Sequence, residues 1–182
     1  EEGIRGYDVT GVQTCALPIW SALSSMIFGC VMLLLALVDY DFKLLPNVIT
    51  LPGTAIGFAL SFVDPRVAWM DSAIGIVAAG GLLYLTAWLY LKLRGRQGMG
   101  MGDVKMIAMI GGFVGWPGAL LTIFLGSLFG SVVGVRLMKI KGREWDYALP
   151  FGTFLALAAV IVDWGGPELI AWYWGTLGLG IR

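Results

Sequence analysis

Apolar residues fall in successive runs long enough, or nearly long enough, to cross a hydrocarbon layer ~30 Å thick. The runs cover about residues 21–38, 48–63, 73–91, 103–115, 119–137 and 149–162. The second carries Pro52, Gly53 and Gly57; the fourth stops before Trp116-Pro117-Gly118; the fifth is rich in Gly and Ser, as close helix packing in lipid favours. A tail over 167–181 holds Trp172, Tyr173 and Trp174, which suit an interface or a final short helix. The pattern predicts an all-α, polytopic transmembrane helix bundle with about six spans and a short C-terminal helix. Small residues are spread throughout and no repeat is visible, so residues 20–182 are expected to form one bundle.

Residues 1–19 stand outside this pattern. Their charges are mixed and they lack the apolar core of a signal peptide. The string from Val9 to Ile19 resembles the translation of a short-read sequencing adapter, and Gly3-Ile4-Arg5 a further piece of it. This head is therefore expected to be an assembly artefact without a fold of its own, fused to a truncated chain that begins near Trp20 and lacks its natural N-terminus. No function is assigned to Cys15.

Mean hydropathy is +0.84. Hydrophobic residues make up 58% of the chain and charged ones 13%, which agrees with a membrane protein. The net charge of zero excludes a generally basic nucleic-acid binder. With no His, catalysis by an imidazole base or a His-ligated metal is excluded. The two cysteines, Cys15 and Cys30, make neither a zinc site nor a disulfide framework, and Cys30 reads as a small packed residue in an apolar helix.

Charge also orients the bundle. The first, third and fifth loops contain Lys43; Lys92, Arg94, Arg96 and Lys105; and Arg136, Lys139, Lys141 and Arg143. The opposite side holds Arg66 and Arg182. The bias places the first, third and fifth loops in the cytoplasm.

Two carboxylates fall on that side. Asp103 ends Gly100-Met101-Gly102-Asp103 at the mouth of the fourth span, and Asp39 ends the first. An acid beside hydrocarbon is costly and marks a functional-site candidate. From Asp103 to Gly115 is roughly 20 Å of helix, shorter than the hydrocarbon layer, which sinks Asp103 below the interface. Two carboxylates a few ångströms apart share a proton, one taking a proton from water and the other donating to an amide carbonyl, with no need of His or metal. Gly100 and Gly102 are expected to let the backbone bend and approach a partner closely. Asp41 competes with Asp39 for the role. Asp64, Asp71 and Asp163 lie at the other boundary and read as ordinary boundary residues.

Three motifs carry a resemblance. Leu44-Leu45-Pro46-Asn47-Val48-Ile49-Thr50-Leu51-Pro52 following Asp39, the glycine-rich run from Gly98 to Lys105, and Leu149-Pro150-Phe151-Gly152 followed by Phe154-Leu155-Ala156 resemble type IV prepilin leader peptidases, GxGD-type intramembrane aspartic proteases. The resemblance covers Trp20 to the C-terminus. It implies that Asp39, which opens a D-x-x-x-x-x-x-P-N run, and Asp103 are the catalytic pair, and it favours Asp39 over Asp41. It makes Gly100, Gly102, Pro46, Lys105, Pro150 and Gly152 site-shaping, with Lys105 either tuning the aspartates or binding lipid headgroups.

The implied substrates are prepilins and pseudopilins of type IV pilus or type II secretion systems. Their leader is cut on the cytoplasmic side of the bacterial inner membrane, before a hydrophobic helix. Full-length members also methylate the product with S-adenosylmethionine, an activity assigned to no residue here. Proteolysis needs no cofactor. Many members have Glu where this chain has Gln97 and a second Pro where it has Thr153; neither position is expected to touch the chemistry. The alternatives are a presenilin- or signal-peptide-peptidase-like protease, matched superficially by Tyr40-Asp41 although Ala148-Leu149-Pro150 runs in the wrong order, an ion-coupled transporter, and an inactive structural fragment.

Overall fold

The computed structural model describes the backbone over residues 7–42, 45–95, 100–141 and 151–176, and side chains over 19–42, 45–95, 100–136 and 151–166. Five helices follow one another: α1 (Tyr7–Phe42), α2 (Asn47–Leu60), α3 (Trp69–Arg94), α4 (Met101–Lys141) and α5 (Phe151–Thr176). Among the described residues there is no strand. The chain is an all-α helical membrane bundle. Ile19–Phe42, Trp69–Arg94 and Met101–Arg136 are long and apolar enough to cross a membrane, and Asn47–Leu60 and Phe151–Gly166 are shorter apolar helices. Large apolar side chains such as Leu33, Val77, Leu93 and Phe124 project outward, as they do when the surrounding solvent is lipid.

The six expected segments become five helices because the fourth and fifth form one helical run, α4, that folds back at Gly115. This glycine has φ 71 and ψ 179, a left-handed backbone that an L side chain rarely adopts. Pro117 follows and removes an N–H from the turn. The reversal shows in the neighbours of α4. Asp103 lies against Gly152 and Gly130 against Phe151, although 27 residues of straight helix would separate them by about 40 Å. The first half of α4 packs antiparallel to α3, and the second half antiparallel to α5, with Gly118 at Val162 and Gly126 at Leu155. α2 also packs on α4, and α1 on α5.

Two expectations are corrected at the chain ends. The tail does not form a separate short helix: α5 continues through residues 167–176, whose side chains lie outside the described ones. Residues 7–19, expected to carry no fold, belong to α1. Cys30 is corrected too: its side chain is exposed on the outside of α1 rather than packed inside.

The α3–α4 seam depends on absent side chains. A methyl on Gly75 would meet the Gly111 carbonyl oxygen at 2.7 Å, and one on Gly80 would meet Ala108 Cβ at 3.1 Å. The close approach lets the Ser72 hydroxyl donate to the Gly112 carbonyl across the seam at 2.8 Å. Met106, Ile107, Met109 and Ile110 of α4 fill the core together with Phe28, Met32 and Leu35 of α1.

The end of the bundle opposite Asp39 is closed by charge. Asp64 and Asp163 are not ordinary boundary residues, because both side chains are buried around Arg66. Arg66 Nη2 lies 2.8 Å from Asp64 Oδ2, and Arg66 Nη1 reaches Asp163 Oδ1 at 3.5 Å and Ser25 Oγ at 2.8 Å. The α2–α3 turn is thereby tied to α1 and α5. Burial pushes the Asp64 carboxyl up, but the side-chain and backbone hydrogen bonds from Arg66 and its charge outweigh that and hold it below its ordinary value. The same contact raises Arg66.

Two outcomes are expected. Gly111→Ala, whose methyl would run into the Gly75 backbone, should cost about 1–3 kcal/mol in detergent unfolding, whereas Gly81→Ala, with open space around it, should cost nothing. Asp64→Asn should destabilise at neutral pH by about 1–3 kcal/mol, a range reduced because Arg66 is partly solvated. Since the folded-state pKa of Asp64 lies below its unfolded value, this contribution is complete above about pH 4 and fades as pH falls further. Unfolding of wild type and variant across pH 3–7 checks the sign: the gap should narrow toward acid.

Candidate active site

α1 ends, α4 begins and α5 begins at one place. Asp39 lies in the last turn of α1 and Asp103 in the first turn of α4, where the Asp103 N–H donates to the Gly100 carbonyl at 3.2 Å. Both carboxylates belong to the interior, at 5% and 8% exposure. Asp41 and Tyr40 are exposed, which separates Asp39 from its competitor and turns the Tyr-Asp pair away from the site.

Gly152, in the first turn of α5, lies between the two acids. A methyl built on it would stand 2.9 Å from Asp39 Oδ2 and 3.2 Å from Asp103 Oδ1. The two oxygens are therefore at most the sum of those distances apart, close enough for one water to touch both. Any side chain at position 152 would occupy that space.

The two glycines of the GxGD run differ. A methyl on Gly102 would meet Leu45 Cβ at 2.8 Å, so its absence lets the segment entering α2 lie on the start of α4. At Gly100 the nearest atom to such a methyl is Asp103 Oδ2 at 3.7 Å, an ordinary contact, and its φ is not positive. Steric need thus falls on Gly102. Pro46 opens α2, its carbonyl accepting from the Ile49 and Thr50 N–H groups at 3.1 and 3.3 Å. Lys105 points to α2: its Nζ donates to Asn47 Oδ1 at 2.7 Å. Lys105 therefore links α4 to α2, and its described partner is an amide rather than an aspartate. Pro150, Gly98 and Gln97 lie outside the described residues.

Thr153 was expected to stand clear of the chemistry, and it does not. Its N–H donates to Asp39 Oδ2 at 2.8 Å, and its hydroxyl lies 3.2 Å from the same oxygen and 3.3 Å from the Ala36 carbonyl. The first N–H groups of a helix lack intrahelical acceptors, so a carboxylate from α1 fills that role for α5. The available signal was a threonine in the first turn of a helix beginning with Phe151-Gly152. Its partner is 114 residues away, which no local pattern reveals. Among the described residues no group of three or more His, Cys, Asp or Glu side chains is placed to hold a metal.

Comparison with known proteins bears on this arrangement. Residues 26–135 match the model of the type IV leader peptidase family. Three relatives share one name, prepilin leader peptidase/N-methyltransferase. That of Pseudomonas putida is 36% identical over 140 residues, 77% of this chain and 49% of the relative. That of Aeromonas salmonicida is 31% identical over 160 residues, covering 88% and 55%. That of Pseudomonas aeruginosa is 32% identical over 154 residues, covering 85% and 53%. The chain spans about half the length of the curated relatives it matches. No solved structure matches significantly. The family match takes in both Asp39 and Asp103 and more than half of the chain, so the chain belongs to the type IV leader peptidase family.

Proposed function

We propose that this chain is the proteolytic membrane part of a prepilin leader peptidase, and that Asp39 and Asp103 are its catalytic pair. The observation that carries the reading is Gly152, where even a methyl group would stand within 3.2 Å of both carboxylates. One carboxylate takes a proton from a water held between them, and the water oxygen attacks the scissile carbonyl carbon. The other, entering as the acid, donates its proton to the carbonyl oxygen. The carboxyl that took the water proton passes it to the amide nitrogen, the other carboxylate takes a proton from a hydroxyl of the tetrahedral intermediate, and the C–N bond breaks as the carbonyl re-forms. Atoms and charge balance without metal or redox partner.

The substrates in this reading are prepilins or pseudopilins, cut before their hydrophobic helix. The charge bias of the loops supports a cytoplasmic site in a bacterial inner membrane. Gly102, Pro46, Lys105 and Gly152 shape the site, the first three by docking the start of α2 on the start of α4. Pro150 and Gly100 complete the proposed set by position in the motifs. Methyl transfer is outside the proposal: S-adenosylmethionine is implied for full-length relatives, and no described residue is assigned to it.

Cleavage of a prepilin reporter in membranes tests the reading. The unmutated chain should release the leader, Asp39→Asn and Asp103→Asn should each abolish release, and Asp41→Asn should retain it. No release by the unmutated chain, or release by either of the first two variants, overturns the proposal. Gly152→Ala should lower cleavage about a hundredfold or more by displacing the water and carboxylates, with unfolding changed by less than about 2 kcal/mol. Cleavage and unfolding measured on one preparation separate the two effects.

A further inference from the structure

Among the described residues, Thr153 is the donor to Asp39. Both described donors to its carboxylate, the Thr153 N–H at 2.8 Å and the Thr153 hydroxyl at 3.2 Å, converge on Oδ2. The hydroxyl has one proton, shared between Oδ2 and the Ala36 carbonyl one turn back along α1, at 3.3 Å. It therefore tracks the α1 backbone as well as the carboxylate. No described residue donates to Oδ1. The terminal torsion of an aspartate is broad, so without such donors the carboxylate would sample many orientations.

We infer that Thr153 is a positioning residue: by donating to Oδ2 of Asp39 it fixes the orientation of that carboxylate beside Asp103. The inference rests on the proposed two-aspartate reaction and deepens it by naming the residue that orients Asp39. Thr153 acts through Asp39 and spends both donors there, so it should influence turnover rather than substrate affinity. Its effect should be graded, since the N–H and the hydroxyl are two separate donors. Losing hydrogen bonds to a carboxylate at a reacting centre corresponds to about a tenfold loss of rate.

The experiment compares wild type, Thr153→Ser, Thr153→Val and Thr153→Pro in reporter cleavage, reading kcat and KM separately. Asp39→Asn is run alongside. Serine keeps both donors and should stay within about twofold of wild type. Valine keeps the N–H and loses the hydroxyl, and should lower kcat about threefold. Proline removes both and should lower it about tenfold. A proline here breaks no intrahelical bond, because an N–H in the first turn has no acceptor within the helix. KM should be unchanged throughout, and thermal unfolding should not follow kcat. Unchanged kcat in both valine and proline, an effect on KM alone, or a serine variant as slow as proline each overturns the inference. If proline does not accumulate, valine against serine decides. A dead Asp39→Asn beside fully active Thr153 variants refutes the inference and spares the two-aspartate reading. An active Asp39→Asn refutes both.

Discussion

The space between Asp39 and Asp103 is too small for a methyl group, and that constraint organises the fold. Gly152 can enter it only if the start of α5 reaches backbone distance from the end of α1 and the start of α4. Three helix ends must meet at one depth. α5 is held at that depth by the second half of α4, where a methyl on Gly126 would stand 3.3 Å from Leu155 Cα. α4 presents both its start and its second half to α5 because it reverses at Gly115. The site at one end of the bundle thus depends on a left-handed glycine at the other.

The opposite end bears the complementary arrangement. Arg66 joins the α2–α3 turn to α1 through Ser25 and to α5 through Asp163, the two helices that carry Asp39 and Thr153. There every charged group named is drawn toward a counter-charge, whereas at the other end two acids, Asp39 and Asp103, are brought together. A bundle that brings two acids together at one end needs its helix spacing fixed elsewhere. The Arg66 network and the glycine seam between α3 and α4 do this without reaching the site.

Much of this was legible in the sequence, and what was hidden has a common cause. The apolar runs gave the helical segments, and the Gly-Trp-Pro-Gly string at 115–118 marked the reversal, because glycine and proline act on the local backbone. Asp39 and Asp103 could be singled out because acids beside apolar runs are costly. The pairings of Thr153 with Asp39 and of Arg66 with Asp163 were hidden, as was the outward turn of Cys30. Each depends on how a helix is rotated about its axis. Helices apolar on every side carry no polar face from which that rotation can be read. The steric difference between Gly100 and Gly102 was hidden for a related reason, since it depends on where Leu45 lies.

Position along the membrane normal then bears on the proposed chemistry. An amide inside a helix has its N–H and C=O engaged, so a hydrolytic site in mid-span would first have to unwind its substrate. Asp39 and Asp103 lie at helix ends, in the last turn of α1 and the first turn of α4. From Asp103 to the reversal at Gly115 is roughly 20 Å of helix, less than the hydrocarbon thickness. In the proposed reading the acids are shallow, and both are enclosed by protein. A substrate with an extended polar leader joined to a hydrophobic helix has its one exposed, unwound amide segment at that same boundary. The depth of the site and the shape of the proposed substrate thus impose a single requirement: the bond to be cut must be the last one before the helix begins.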